Sequence, residues 1–170
     1  MRVKTRELTL FALLGTLMYG SKVLMEFLPN VHLLGMFTIT FTVVYRKKAL
    51  IPIYVYVFLN GLFAGFSLWW IPYLYIWTVL WGIVMLLPKT MPKKVAVPVY
   101  MVTCAMHGFL FGTLYAPLQA LMFGLDFKGM LAWIVAGLPW DAIHGVGNFF
   151  AGALVVPLAA LLKKLSPQNM

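Results

Sequence analysis

Positive charge in this chain is confined to short clusters separated by apolar runs of roughly helical length. Arg2, Lys4 and Arg6 open the chain. Arg46-Lys47-Lys48, then Lys89 with Lys93-Lys94, then Lys163-Lys164 follow, so eleven of the 13 Lys and Arg residues fall in four groups. Lipid admits almost no unpaired charge, so a chain laid out this way folds as bilayer-crossing helices whose basic turns lie on one surface. Composition agrees: 63% of the residues are hydrophobic and 10% charged, against about 45–50% and about 25% in soluble domains. The expected fold is an all-α integral membrane protein, one domain over residues 1–170. It is a bundle of six transmembrane helices in the cell membrane with both termini cytoplasmic.

The spans read as Glu7 to Leu28, Leu33 to Tyr45, Ala49 to Ser67, Ile71 to Leu87, Val95 to about Tyr115, and Pro139 to Leu162. The basic, apolar start could open a secretory signal, but no small-x-small cleavage site follows it, so it is read as a mature first helix. The second span is the shortest, about 20 Å of helix against about 30 Å of hydrocarbon, and is lengthened if it begins at Pro29. Residues 116–138, interrupted by Gly124, Asp126, Lys128 and Gly129, read as an outer turn with interfacial helical pieces, too broken to span. Gln119 or Trp133 would fold over a site from there. With this topology only Lys22 and Lys128 lie outside the inner loops, as the positive-inside rule requires.

The last span carries polar groups where lipid calls for apolar ones. Asp141, His144 and Asn148 recur at i, i+3 and i+7 on a helix beginning near Pro139, and so share one face. Intramembrane ionisable residues are functional candidates by default. The structural alternative is a self-satisfying network, with Asp141 capping the helix start and His144 and Asn148 bonding neighbouring helices. Trp70, Tyr73, Trp77 and Trp81 form an aromatic stripe on the fourth span. An interfacial belt accounts for its outer members, less well for Trp77 and Trp81.

Tyr115 ends the fifth span on the same outer side, and Lys22 and Glu26, one turn apart, end the first; they either pair or meet a ligand. His107 lies near mid-span, where interhelical hydrogen bonding is the plainer role. His32 reads as a solvated loop histidine. A pocket between spans 1, 4, 5 and 6, closed by segments 29–32 and 116–138, would stack flat rings on aromatic faces and fix their polar edges.

Several chemistries are excluded or left without support. The lysines and arginines form no basic face, so no nucleic-acid partner is expected. One cysteine, Cys104, builds neither a disulfide nor a thiolate metal site, and no metal spacing accompanies the histidines. No phosphate-binding loop and no internal repeat occur, so the chain encodes neither an energy source nor a self-sufficient transporter. Small residues recur at Ala12, Thr16 and Gly20, beside Gly15, and again at Gly108, Gly112 and Ala116, and Gly61 pairs with Gly65. Such strips allow close helix approach, within the chain or to a separate subunit.

In size, six spans, basic N-terminus, the Ala12-xxx-Thr16-xxx-Gly20 strip and the Asp141-xx-His144-xxx-Asn148 pattern, the chain resembles the substrate-capture (S) components of energy-coupling factor (ECF) transporters. These are prokaryotic importers of vitamins and other micronutrients within the ABC transporter class. The resemblance implies outside capture by Asp141, His144, Asn148, Trp77, Tyr73, Trp70, Glu26, Lys22 and Tyr115. It also implies docking of a transmembrane coupling (T) subunit on Ala12, Gly15, Thr16 and Gly20, with two partner ATPases using ATP and no cofactor in this chain. Thr16 departs from the family's usual alanine. Riboflavin, folate, cobalamin, a thiamin or pyrimidine precursor and a queuosine precursor all fit, with the expectation tilted towards a large aromatic or corrinoid-type vitamin. The competing classes are a non-transporting assembly subunit and an intramembrane acid/base enzyme using Asp141 and His144.

Overall fold

Apolar residues cover the outside of this molecule as well as its core. Leu24, Phe27, Leu86 and Leu121 are each more than three-quarters exposed, the pattern of helices solvated by lipid rather than water. The computed structural model describes residues 3–166, which leaves Arg2 of the first basic cluster outside the described residues. Eight α-helices are present: α1 (Thr5–Leu24), α2 (Leu34–Tyr45), α3 (Leu50–Ala64), α4 (Tyr73–Leu86), α5 (Lys93–Phe109), α6 (Phe111–Phe123), α7 (Phe127–Gly152) and α8 (Val155–Leu165), with no strand among the described residues. Among the described residues four helical stretches are long and apolar enough to cross a membrane: Thr5–Leu24, Leu34–Ala64, Leu68–Leu86 and Lys93–Phe123. A fifth is added if α7 and α8, bent by 51°, count as one.

The stretch Leu34–Ala64 doubles back on itself. Arg46 sits between α2 and α3 at φ 52°, a left-handed conformation that a side chain adopts only when its surroundings hold it. Here Trp81 Nε1 donates to the Arg46 carbonyl at 3.1 Å and the Arg46 guanidinium donates to Met85 O at 2.9 Å. α2 then runs alongside α4 in one sense, while α3 meets α4 in the other, through Tyr54 Oη donating to Leu74 O and Trp70 Nε1 donating to Val57 O. Ten of the twelve α2 residues are buried, so this helix of about 18 Å is the axis round which the others pack. It starts at Leu34 and not at Pro29, because residues 29–33 form a loop.

α1 buries Glu7, Phe11, Leu14, Gly15 and Met18, one helical stripe, against α3. Glu7 accepts from the Lys4 backbone at 2.9 Å and pairs with Lys48. With Tyr45 bonded to Ser166 at 2.9 Å and Lys89, Lys93 and Lys163 around one cavity, the four basic clusters, as far as they are described, gather at one end of the bundle.

α5 and α7 make the closest helix pair. A Cβ on Gly108 would lie 2.8 Å from Gly145 Cα, and one on Gly152 would lie 2.6 Å from Met101 Cα, so the two backbones touch where no side chain fits. The strip Gly108, Gly112 and Ala116 is therefore internal packing. Gly65 has no such role: it caps α3 at φ 90° with open space around it.

Two sequence expectations are corrected. Residues 116–138 do turn, at Gly124 to Asp126, but the helical pieces on either side are parts of two regular helices, α6 and α7, that meet in a tight hairpin. Gly124, at φ 65°, caps α6, and the Asp126 carboxylate accepts from Gly129 N at 2.7 Å to cap α7. The helix carrying Asp141 also begins at Phe127, twelve residues before Pro139, so Pro139 lies inside α7 and Asp141 starts no helix.

Candidate functional site

At the end of the bundle opposite the basic clusters, a cavity of about 230 Å³ opens between α1, the loop after it, α4, α6 and α7. Its rim is the Lys22–Glu26 ion pair at 2.7 Å, and Asn30 to His32 form one wall. Asn30 takes φ 56°, a conformation asparagine tolerates better than most residues, and this turns the loop inward. Tyr73, Phe111, Asp141 and His144 complete the lining.

Asp141 is held in this position by a break in the facing helices α5 and α6. α5 ends and α6 begins at Leu110, which leaves the first amides of α6 without carbonyl partners in their own helix. Asp141 supplies one partner: both carboxylate oxygens lie within hydrogen-bond reach of Gly112 N, at 3.1 and 3.0 Å. A carboxylate at a helix N-terminus is also favoured by the aligned peptide dipoles. A Cβ on Gly112 would run into that carboxylate, so glycine is required by this close approach. The capping role foreseen for Asp141 thus exists, but it serves α6 and not its own helix.

Beneath the cavity is a column of aromatic and imidazole rings. His32 meets His144 edge-on with centroids 4.5 Å apart, and Phe111 lies 5.1 Å from His144. Deeper, Trp77 stands 5.4 Å from His107, whose Nε2 donates to Ile76 O at 3.2 Å. Lowest is Asn148, buried beside Gly35 and Cys104. Burial, with His107 nearby, pushes the His32 imidazole in the loop down to about 4.

This column holds most of the unpaired buried polarity in the molecule. Eight buried side-chain nitrogen or oxygen atoms lack a hydrogen-bond partner among the described residues. Six of them are His32 Nδ1, Trp77 Nε1, His107 Nδ1, His144 Nε2 and both amide atoms of Asn148. Proteins pair nearly all such atoms, at a cost of about 1–3 kcal/mol for each one left over.

The expected site residues divide accordingly. Lys22, Glu26, Tyr73, Asp141 and His144 line the cavity. Trp77 and Asn148 lie below it in the same column. Trp70 and Tyr115 do not line it: Trp70 is tied to α3, and Tyr115 donates to Trp69 O at 2.8 Å and stacks on Trp133, which therefore braces the α6–α7 hairpin.

Segment 29–32 lines the cavity as expected, although His32 itself was read as solvated; segment 116–138 does not line it, and Phe111 does without having been expected there. Phe111 stands one helical turn after His107, a spacing that would have exposed it. His32 gave no such signal, and its reading as a solvated loop residue is overturned by the ring contact with His144. Of the small residues on α1, Gly15 packs against Val55 and Pro52 within the chain, while Ala12 and Thr16 are exposed and Gly20 has open space beside it. Among the described residues no group of three His, Cys, Asp or Glu side chains is placed to hold a metal. Comparison with known protein families, curated proteins and solved structures gave no match to this chain.

Proposed function

We propose that this chain is the membrane-embedded capture subunit of an ECF-type vitamin or micronutrient importer. It would take a small ligand from outside the cell into the cavity above His144 and deliver it inward with a T subunit and two ATPases. In this reading α1, α2, α3, α4, α5 with α6, and α7 with α8 are the six spans. The basic end, which also carries Val3 and Ser166, faces the cytoplasm by the positive-inside rule. The cavity then opens to the exterior.

The observation that carries the reading is the concentration of unpaired polar atoms beneath the cavity: six of eight buried orphans belong to five residues in one column. A self-satisfying structural network would leave none of them open. A ligand with nitrogen and oxygen atoms on a flat ring offers partners to His32 and His144 at the head of that column and stacks on Phe111 and Tyr73. The volume of about 230 Å³ falls below the about 300–1,000 Å³ of pockets for drug-sized ligands. In this reading the volume favours a ligand of one or two rings over a corrinoid.

The exposed Ala12 and Thr16, on a face of α1 flanked by exposed Leu8, Leu13 and Leu17, support subunit docking there. Thr16 returns its hydroxyl to Ala12 O at 2.9 Å, so it presents mainly its methyl group. Gly15 is withdrawn from the docking set because α3 covers it. The test is to purify the tagged chain from its native membrane and identify the co-purifying subunits. A T subunit and two ATPases, lost on Ala12→Leu while the chain stays folded, are expected. Recovery of the chain alone in both cases contradicts the reading.

A further inference from the structure

A second cavity, of about 240 Å³, lies at the basic end between α2, α5, α8 and the loop joining α4 to α5. Three lysines border it: Lys89 on the loop, Lys93 at the start of α5 and Lys163 near the end of α8, with the Thr90 hydroxyl beside them. Apart from Tyr100, its remaining walls are apolar, among them Val43, Met91, Ala96 and Val156.

Among the described residues no carboxylate answers those charges. The chain has four Asp and Glu residues, and each is engaged elsewhere. Glu7 pairs with Lys48, Glu26 with Lys22, Asp126 caps α7 and Asp141 caps α6. None of Lys89, Lys93 and Lys163 forms an ion pair among the described residues, whose two salt bridges both involve other lysines. Three ammonium groups round one hollow repel one another unless an anion sits between them.

We propose that this cavity binds the phosphate headgroup of an anionic membrane lipid. Lys89, Lys93 and Lys163 surround the phosphate, Thr90 donates to it, and the apolar walls receive the first methylenes of the acyl chains. A free phosphate would satisfy the lysines but leave those walls wet. A lipid uses both halves of the lining, and the site stands at the membrane surface where such lipids are concentrated. The inference does not depend on what the opposite cavity captures.

The test is native mass spectrometry of the full chain in neutral detergent with equal amounts of phosphatidylglycerol and phosphatidylcholine. The variant Lys89→Gln/Lys93→Gln/Lys163→Gln is compared with a control of equal charge, Lys47→Gln/Lys94→Gln/Lys164→Gln, whose lysines lie outside the cavity. At about fivefold per lysine, phosphatidylglycerol retention falls about 100-fold in the cavity variant and less than about threefold in the control. Equal losses in the two would mean diffuse surface charge and overturn the proposal. So would displacement of the lipid by millimolar inorganic phosphate, which would make the site one for a free anion. Should the cavity variant fail to fold, the unmodified chain decides: phosphatidylglycerol must raise its unfolding temperature where phosphatidylcholine does not, and equal shifts reject the lipid site.

Discussion

Two cavities of nearly equal volume, about 230 and about 240 Å³, sit at opposite ends of this bundle, and their linings have little in common. The first draws on Tyr73 and Phe111 at the starts of α4 and α6, on Asp141 and His144 within α7 and on the loop after α1, and lies above a column of unpaired nitrogens and oxygens. The second is bordered by lysines from helix ends and a loop, over apolar walls. A polar group inside a span must be positioned by the fold, as Asp141 is by the break at Leu110, because lipid offers it no alternative partner. A lysine at a helix end reaches water wherever it points. The difference teaches that one end holds its polar groups by hydrogen bonds inside the bundle, while the other sets its charges round a hollow by where its helices begin and end.

The sharpest way to break that contrast is to part the helices beneath both ends. Gly108→Leu forces a side chain into the Gly145 backbone, and overpacking of this kind costs about 1–3 kcal/mol or more. Loss of monodisperse protein in detergent is expected, and a variant with unchanged unfolding temperature would show that α5 and α7 are not in backbone contact.

Next in size is Asp141→Ala, which leaves the Gly112 amide buried without its acceptor at about 1–3 kcal/mol. Asp141→Asn keeps an acceptor oxygen and should lose less than half as much, read as unfolding temperature. Equal losses would mean that the charge, and not the hydrogen bond, matters there.

Much of this architecture was legible in the chain, and what was not has identifiable physical causes. The reversal at Arg46-Lys47-Lys48 and the shared face of Asp141, His144 and Asn148 follow from charge placement and from a helical period that holds wherever the helix begins. The partner of Asp141 was hidden because it is a backbone amide 29 residues away, and periodicity carries no information about which amides a distant break leaves open. Gly124 and Asp126 were read as interrupting a span, whereas they cap two helices; the same residue types serve both purposes. His32 was misplaced because a loop histidine carries no periodic signature, and its inward turn depends on Asn30 at φ 56°.

The smallest expected effect sharpens the assignment of His32. Its folded-state value of about 4 lies below the ordinary 6.5, so between those values the unfolded chain binds a proton that the folded chain resists. Its contribution to stability is complete above pH 6.5 and is lost progressively as pH falls towards 4. The unfolding temperature should decline over that window, and His32→Phe should flatten the decline. An unchanged slope in the variant would return His32 to solvent.

The central claim is that the unpaired column beneath the cavity lined by His144 recognises a small ligand. The direct measurement is to purify the chain from rich medium, denature it and identify the released small molecules by mass spectrometry, beside His144→Ala prepared identically. One ring-containing compound is predicted, near one per chain in the unmodified protein and reduced at least about tenfold in the variant, as loss of one buried hydrogen-bonding group implies. A folded protein that releases nothing and gains no thermal stability from a panel of one- and two-ring vitamins and precursors would contradict the account.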